Sequence, residues 1–157
     1  MGGFVALYLA SKQKNIIKNI ITLGTKFNWS KEVVNKEIKM LNLELILEKI
    51  PSFAKTLEAK HGLDWKKLVL NTAGMIKELG EKNLLDTKLL EDINIPTLLG
   101  IADSDQMVSL EETVSVFKNL QKGSMFMLPK SKHQIESVPL DLLAKIIYDY
   151  SQQGSPV

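Results

Sequence analysis

The chain has 157 residues, of which 45% are hydrophobic and 24% charged; these are ordinary globular values, and they exclude a disordered chain, a collagen-like repeat and a low-complexity tail. Twenty Lys and Arg against 18 Asp and Glu leave a net charge of +2, too small an excess to argue for nucleic acid or an anionic membrane as partner. Cysteine is absent, which removes disulfide scaffolds, zinc–cysteine sites and thiol catalysis and fits a reducing, cytoplasmic setting.

The length predicts one domain. Met1–Ala10 is apolar but too short to span a bilayer. It has no basic segment of the secretory kind, and its sixth residue is Ala, not the Ser or Thr of the myristoylation pattern. Residues 4–10, apolar on nearly every side, predict a helix packed on more than one face and ended by Lys12, Lys14 and Asn15. Ile20–Gly24 is a short β-branched run, which predicts a buried parallel strand. Ser30 reads as an N-cap for one amphipathic helix carrying Val34, Ile38, Leu41 and Leu45. Pro51 suits the first turn of a second helix, ending near Gly62. Asp64 is placed to cap a third, Trp65–Leu79, with Gly80 beyond its end. Leu84–Leu90 reads as one more turn or short helix.

The pattern then returns to alternating strands and helices. Ile95–Ile101 predicts a second buried strand, with Pro96 tolerated at its start. Ser109 and Glu112 form an S-x-x-E capping box, opening a helix that Gly123 ends. Ser124–Leu128 is a third strand, Val138–Tyr150 a closing helix, and the tail from Gln152 frays. No internal repeat is visible. Strands and helices at this spacing predict an α/β fold with a parallel sheet.

Ligands of open α/β sheets bind beyond the carboxyl ends of the strands. Asp103-Ser104-Asp105-Gln106-Met107-Val108 comes after the second strand, and Pro129-Lys130-Ser131-Lys132-His133 after the third. No acid stands after the first, which ends at Gly24. An acid with a histidine 28 residues later, each after its own strand, is the second half of a Ser…Asp…His order. His61 and His133 are the only histidines and share no helical spacing, so no metal site is expected.

These segments resemble the α/β-hydrolase family over nearly the whole chain. Met1-Gly2-Gly3-Phe4-Val5-Ala6 is similar to the family's stretch just after the nucleophile in G-x-S-M-G-G. Ile95 to Val108 is similar to the family's strand seven and acid turn, and Leu128 to His133 to its strand eight and histidine loop. Each motif is only moderately specific; three in the right order, around a helical insertion, are strongly so. The resemblance implies a single incomplete α/β-hydrolase domain over 1–157, three parallel strands with flanking helices, and a helical cap at about 30–90. It implies that His133 is the base and Asp105 the acid, with Asp103 a rival acid better suited to turning the chain. Gly2 and Gly3 fall in the nucleophile elbow, and Met1 would supply a backbone N–H to the oxyanion.

One departure matters. The family's nucleophile stands just before Met-Gly-Gly, a position the sequence does not contain. The resemblance implies the C-terminal part of a serine hydrolase, starting after the nucleophile, as from a reading frame opened at an internal Met. Phe27, Trp29 and Met107 are candidates for the substrate pocket, with packing under the cap the equal alternative for the two aromatics. Met40 and Met75 suit core filling, His61 a helix end, and the Lys/Glu mixture from Lys31 to Lys88 a solvated surface. The implied reaction is cleavage of a small, lipophilic ester-like substrate through an acyl-enzyme, with no cofactor or metal. Carbon–carbon hydrolysis or perhydrolysis on the same fold, or an elbow with Asp in place of Ser, are alternatives. A non-catalytic binding or assembly module is another. The missing partner of the first strand leaves a sheet edge expected to aggregate, to form a homodimer, or to take up the missing N-terminal half.

Overall fold

The three apolar runs become strands of one parallel sheet, in chain order. The structure, a computed structural model, describes residues 1–13, 16–82 and 84–152. The roles expected of Lys14, Asn15 and the tail from Gln153 lie outside the described residues. Strands β1 (Ile20–Leu23), β2 (Thr97–Ala102) and β3 (Gly123–Leu128) pair with Ile20 opposite Thr97 and Ala102 opposite Leu128. All six residues of β2 are buried, as the middle strand of a parallel sheet requires. Among the described residues β1 is paired on one side only. Its Ile20 and Gly24 N–H groups donate to Pro96 and Gly100 carbonyls at 3.0 and 2.9 Å. The alternation of a strand then turns the N–H groups of Ile21 and Leu23 to the open side.

The chain divides into two compact units, Met1–Phe27 with Leu85–Val157, and Asn28–Leu84. In the first, helix α1 (Gly2–Lys12) lies on β1 and buries Phe4 and Leu7. Val5 and Leu9 of the same helix are exposed. The composition predicts packing on more than one face; among the described residues α1 contacts both β1 and α6 and leaves Val5 and Leu9 uncovered. Helix α6 (Thr87–Glu91) contacts α1 and α7 (Leu110–Asn119) through this unit, with Leu90 buried. The Ser109 hydroxyl caps α7 by accepting from the Glu112 N–H at 3.1 Å. Gly123 does not end α7 but opens β3; a Cβ there would lie 3.1 Å from Leu120 Cβ and from the Phe117 carbonyl and would crowd the end of the helix. Helix α8 (Leu140–Gln152) places Leu143 on Leu128 and Val138.

The second unit is helical. The single helix predicted from Ser30 to Leu45 is two, α2 (Lys31–Met40) and α3 (Leu43–Lys49). The Asn42 side chain accepts from the Leu45 N–H at 3.1 Å and restarts the chain as a new N-cap, a competition that apolar spacing does not reveal. Helix α4 (Pro51–His61) begins on its proline and ends at Gly62, whose φ of +63° suits glycine. Helix α5 (Trp65–Glu81) runs past Gly80, and Asp64 makes no side-chain cap. Gly80 serves packing instead: a Cβ would sit 2.6 Å from Val34 Cγ2, so its absence lets α5 approach α2. Ile46, Ala54, Trp65 and Val69 form this unit's core. Burying each of the larger ones is worth about 1.5–3 kcal/mol.

Candidate active site

Parallel pairing puts the carboxyl ends of β1, β2 and β3 along one edge of the sheet, and the segments after them meet there. Asp105 sits in the turn after β2. Its Oδ1 accepts the N–H groups of Met107 and Val108 at 2.8 and 2.9 Å, closing the turn on its own side chain. That leaves Oδ2 for His133, whose Nδ1 lies 2.9 Å away. The Asp105 side chain is 1% exposed and the His133 side chain 30%. Burial works to raise the Asp105 pKa, but the Val108 N–H, His133 and the Met107 N–H together outweigh it, and the carboxyl sits below its ordinary value. Asp105 is therefore ionised at neutral pH and can only accept. In the neutral ring the proton then belongs on Nδ1, which leaves the lone pair on Nε2. The arrangement can take a proton from a hydroxyl and hold the imidazolium that results.

Gly24, immediately after β1, completes this corner. Its φ is +56°, and a Cβ there would lie 3.2 Å from His133 Nδ1 and 3.3 Å from Asp105 Oδ2. The backbone thus closes over the acid–histidine bond where any side chain would crowd it. In the sequence this position shows only the lack of an acid; the signal for its role is a glycine directly after an apolar run.

Gly3 is required where Gly2 is not. A Cβ on Gly3 would stand 2.2 Å from Thr25 Oγ1 and 2.8 Å from Thr22 Cγ2, both on buried threonines, whereas Gly2 has nothing within 4 Å. Met1 is the N-cap of α1, its carbonyl accepting from the Val5 N–H at 3.2 Å. The start of the chain is so held against the carboxyl end of β1. Met107 is exposed, and its carbonyl accepts from Lys26 Nζ, tying the segment after β1 to the acid turn. Lys26 carries no sequence signal beyond surface charge. The Phe27 N–H donates to Glu112 Oε1 at 3.4 Å. Trp29 belongs to the helical unit; its indole Nε1 is buried with no hydrogen-bond partner among the described residues. Asp103 does not reach His133 as a rival acid: its carboxylate accepts from the backbone of the histidine loop.

No group of three or more His, Asp and Glu among the described residues could hold a metal ion. No helix among them is long and apolar enough to cross a membrane.

No protein-family model and no curated protein matches the chain. Solved structures do. An alpha/beta hydrolase enzyme from a Medee basin deep-sea metagenome library superposes with a TM-score of 0.70 at 15% identity, over 99% of this chain and 64% of that one. A thermophilic esterase from Thermogutta terrifontis gives 0.67 at 18% identity, over 99% and 63%. The 2-hydroxy-6-oxo-6-phenylhexa-2,4-dienoate hydrolase of Rhodococcus sp. strain RHA1 gives 0.67 at 12% identity, over 97% and 61%. At such identities the likeness is one of fold. The chain has a partial α/β-hydrolase fold and spans a little under two thirds of the length of the structures it matches.

Proposed function

We propose that Asp105 and His133 are the acid and base of a serine-hydrolase triad whose nucleophile directly precedes Met1 in the complete protein. The observation that carries this reading is the 2.9 Å bond from His133 Nδ1 to a carboxylate whose other oxygen is fixed by two backbone N–H groups. Such a pair, at the carboxyl ends of adjacent strands, lies where open α/β sheets bind their ligands. In this reading His133 Nε2 takes the nucleophile's proton and returns it to the leaving group, and Asp105 holds the ring in its tautomer. Met1 supplies its N–H to the oxyanion, and Gly2 and Gly3 shape the elbow. The substrate is a small, lipophilic ester-like molecule. Substrate choice is assigned to Phe27 and Met107 of the first unit and, separately, to the helical unit Asn28–Leu84 with its Trp29, in place of the 30–90 section the sequence suggests. The test is p-nitrophenyl ester hydrolysis by the chain joined to the residues encoded in frame upstream of Met1. Asp105→Asn should lower kcat roughly 10⁴-fold, and His133→Ala comparably, with folding retained. Equal turnover by His133→Ala and wild type removes the assignment.

The open side of β1 supports a second reading, in which the chain acts by assembly through that edge, with a second copy of itself or with a separate N-terminal half.

A further inference from the structure

The acid turn and the histidine loop share more than the bond between Asp105 and His133. Asp103 Oδ2 accepts the Lys130 N–H at 2.8 Å, and Oδ1 accepts the Ser131 N–H at 3.1 Å. Two successive backbone N–H groups therefore converge on one carboxylate. They can do so because Lys130 is left-handed, with φ of +51°, the only such non-glycine residue among the described residues. Consecutive N–H groups turned to one side by a left-handed residue form a cradle for an anion, and a side chain at positive φ persists only where its surroundings hold it. Here the holding group is a carboxylate from the other loop.

The backbone reinforces this link. The Asp103 N–H donates to the Leu128 carbonyl and the Ser104 N–H to the Ser131 carbonyl, each at 3.0 Å. Ser131 is fully buried, its hydroxyl donating to the Pro129 carbonyl at 3.0 Å. On the far side of His133, the Ser137 hydroxyl accepts from the Lys132 N–H at 3.0 Å and donates to the Gln134 carbonyl at 2.7 Å. His133 thus stands between two anchors, and only the one before it comes from the acid turn.

We infer that Asp103 is a positioning residue for His133: its carboxylate clamps the left-handed turn at Lys130 and Ser131 to the acid turn, and so sets the reach of Nδ1 to Asp105. The inference rests on the reading of Asp105 and His133 as acid and base. Asp103 touches neither ring nor reacting atoms and takes no part in proton transfer. The chemistry of the clamp needs both oxygens. An Asn offers one acceptor and turns an NH₂ donor on the second N–H. The Lys130 and Ser131 N–H groups, and less strongly the Ser104 hydroxyl, hold the Asp103 carboxyl below its ordinary value, so the clamp is ionised at neutral pH.

The experiment is nuclear magnetic resonance of the ¹⁵N-labelled chain, read at three places. In wild type the Lys130 and Ser131 amides exchange at least tenfold more slowly than unprotected loop amides, and the His133 Nδ1–H gives a resolved signal. Asp103→Asn brings both amides to the unprotected rate and broadens the Nδ1–H signal away, while the amide shifts of β1 and α5 stay in place. Adding Lys130→Gly to Asp103→Ala restores the Nδ1–H signal in part, because glycine enters the left-handed turn without strain. A purely structural loss would not be rescued in this way. Asp105→Asn separates the two claims. If its Nδ1–H signal survives, the acid–base reading falls and the clamp falls with it. If the signal is lost in Asp105→Asn but keeps its wild-type linewidth in Asp103→Asn, the clamp alone is overturned. Should Asp103→Asn fail to fold, wild type decides: fast exchange at the Lys130 amide overturns the clamp, and protection supports it.

Discussion

Adding one methyl group at Gly24 should break the acid–histidine bond without touching either partner's sequence. Two costs can be worked out from the geometry. An L-residue at φ of +56° brings Cβ against the following carbonyl, for about 1–2 kcal/mol. The new Cβ would also lie 3.2 Å from Nδ1 and 3.3 Å from Oδ2, closer than ordinary van der Waals contact, so the pair must give by a few tenths of an ångström. Starting from 2.9 Å, that carries the bond to or beyond about 3.2 Å, the outer edge of normal hydrogen bonding. Leaving Asp105 Oδ2, on a side chain 1% exposed, without its partner adds about 1–3 kcal/mol. Gly24→Ala should therefore cost about 2–5 kcal/mol and extinguish the His133 Nδ1–H signal. Gly62→Ala is the control: its φ is +63° but its Cβ meets nothing within 4 Å, so it should lose stability through backbone strain alone and leave His133 unchanged. Urea unfolding gives the stabilities, and nuclear magnetic resonance the His133 signal. A Gly24→Ala chain that keeps the Nδ1–H signal, or loses under about 0.5 kcal/mol, would refute the reasoning.

Other parts of the molecule yield outcomes of their own. Asp103 and Asp105 both bind protons less readily folded than unfolded, so their stabilisation is complete above about pH 4 and lost as pH falls through their lowered values. Urea midpoints should be flat from about pH 7 to 5 and drop below about 4, and Asp103→Asn with Asp105→Asn should flatten that drop; an unchanged acid slope counts against it. Residues 1–157 alone should sediment as a dimer or larger through β1. Ile21→Pro should return them to monomer, because that N–H faces the open side and proline there spares the pairing with β2; a self-associating Ile21→Pro chain locates the contact elsewhere. In the complete protein, Phe27→Ala or Trp29→Ala should reorder preference among acyl chain lengths without abolishing turnover, and unchanged profiles for both would make these aromatics structural.

Two strands are legible in the sequence because buried parallel strands are written as short, largely apolar runs, and Ile20–Leu23 and Thr97–Ala102 carry that signature, whereas β3 is buried only at Leu128. Ser30 and Ser109 are legible as caps because a hydroxyl before an apolar-periodic segment has few other uses. What escapes depends on neighbours distant in sequence. Gly80 looks like a helix end until Val34 is placed against it. Asn42 splits a helix whose apolar spacing runs on unbroken. At the candidate site, Asp105 and His133 stand out by their places after successive strands. Gly24 does not, since it acts by having no side chain beside His133, and Asp103 stands out only as a rival acid, not through the backbone N–H groups 27 and 28 residues away that it meets. Backbone donors leave no trace in residue identity.

The central claim, that Asp105 and His133 serve a nucleophile directly before Met1, is tested most directly by fluorophosphonate labelling of the protein expressed with everything encoded in frame upstream of Met1. The account predicts one labelled residue, the serine immediately preceding Met1. Labelling should be abolished by His133→Ala, sharply slowed by Asp105→Asn, and absent from residues 1–157 alone. A label on a serine within residues 1–157 that disappears with His133→Ala, or a label on the upstream serine that His133→Ala leaves undiminished, would contradict it.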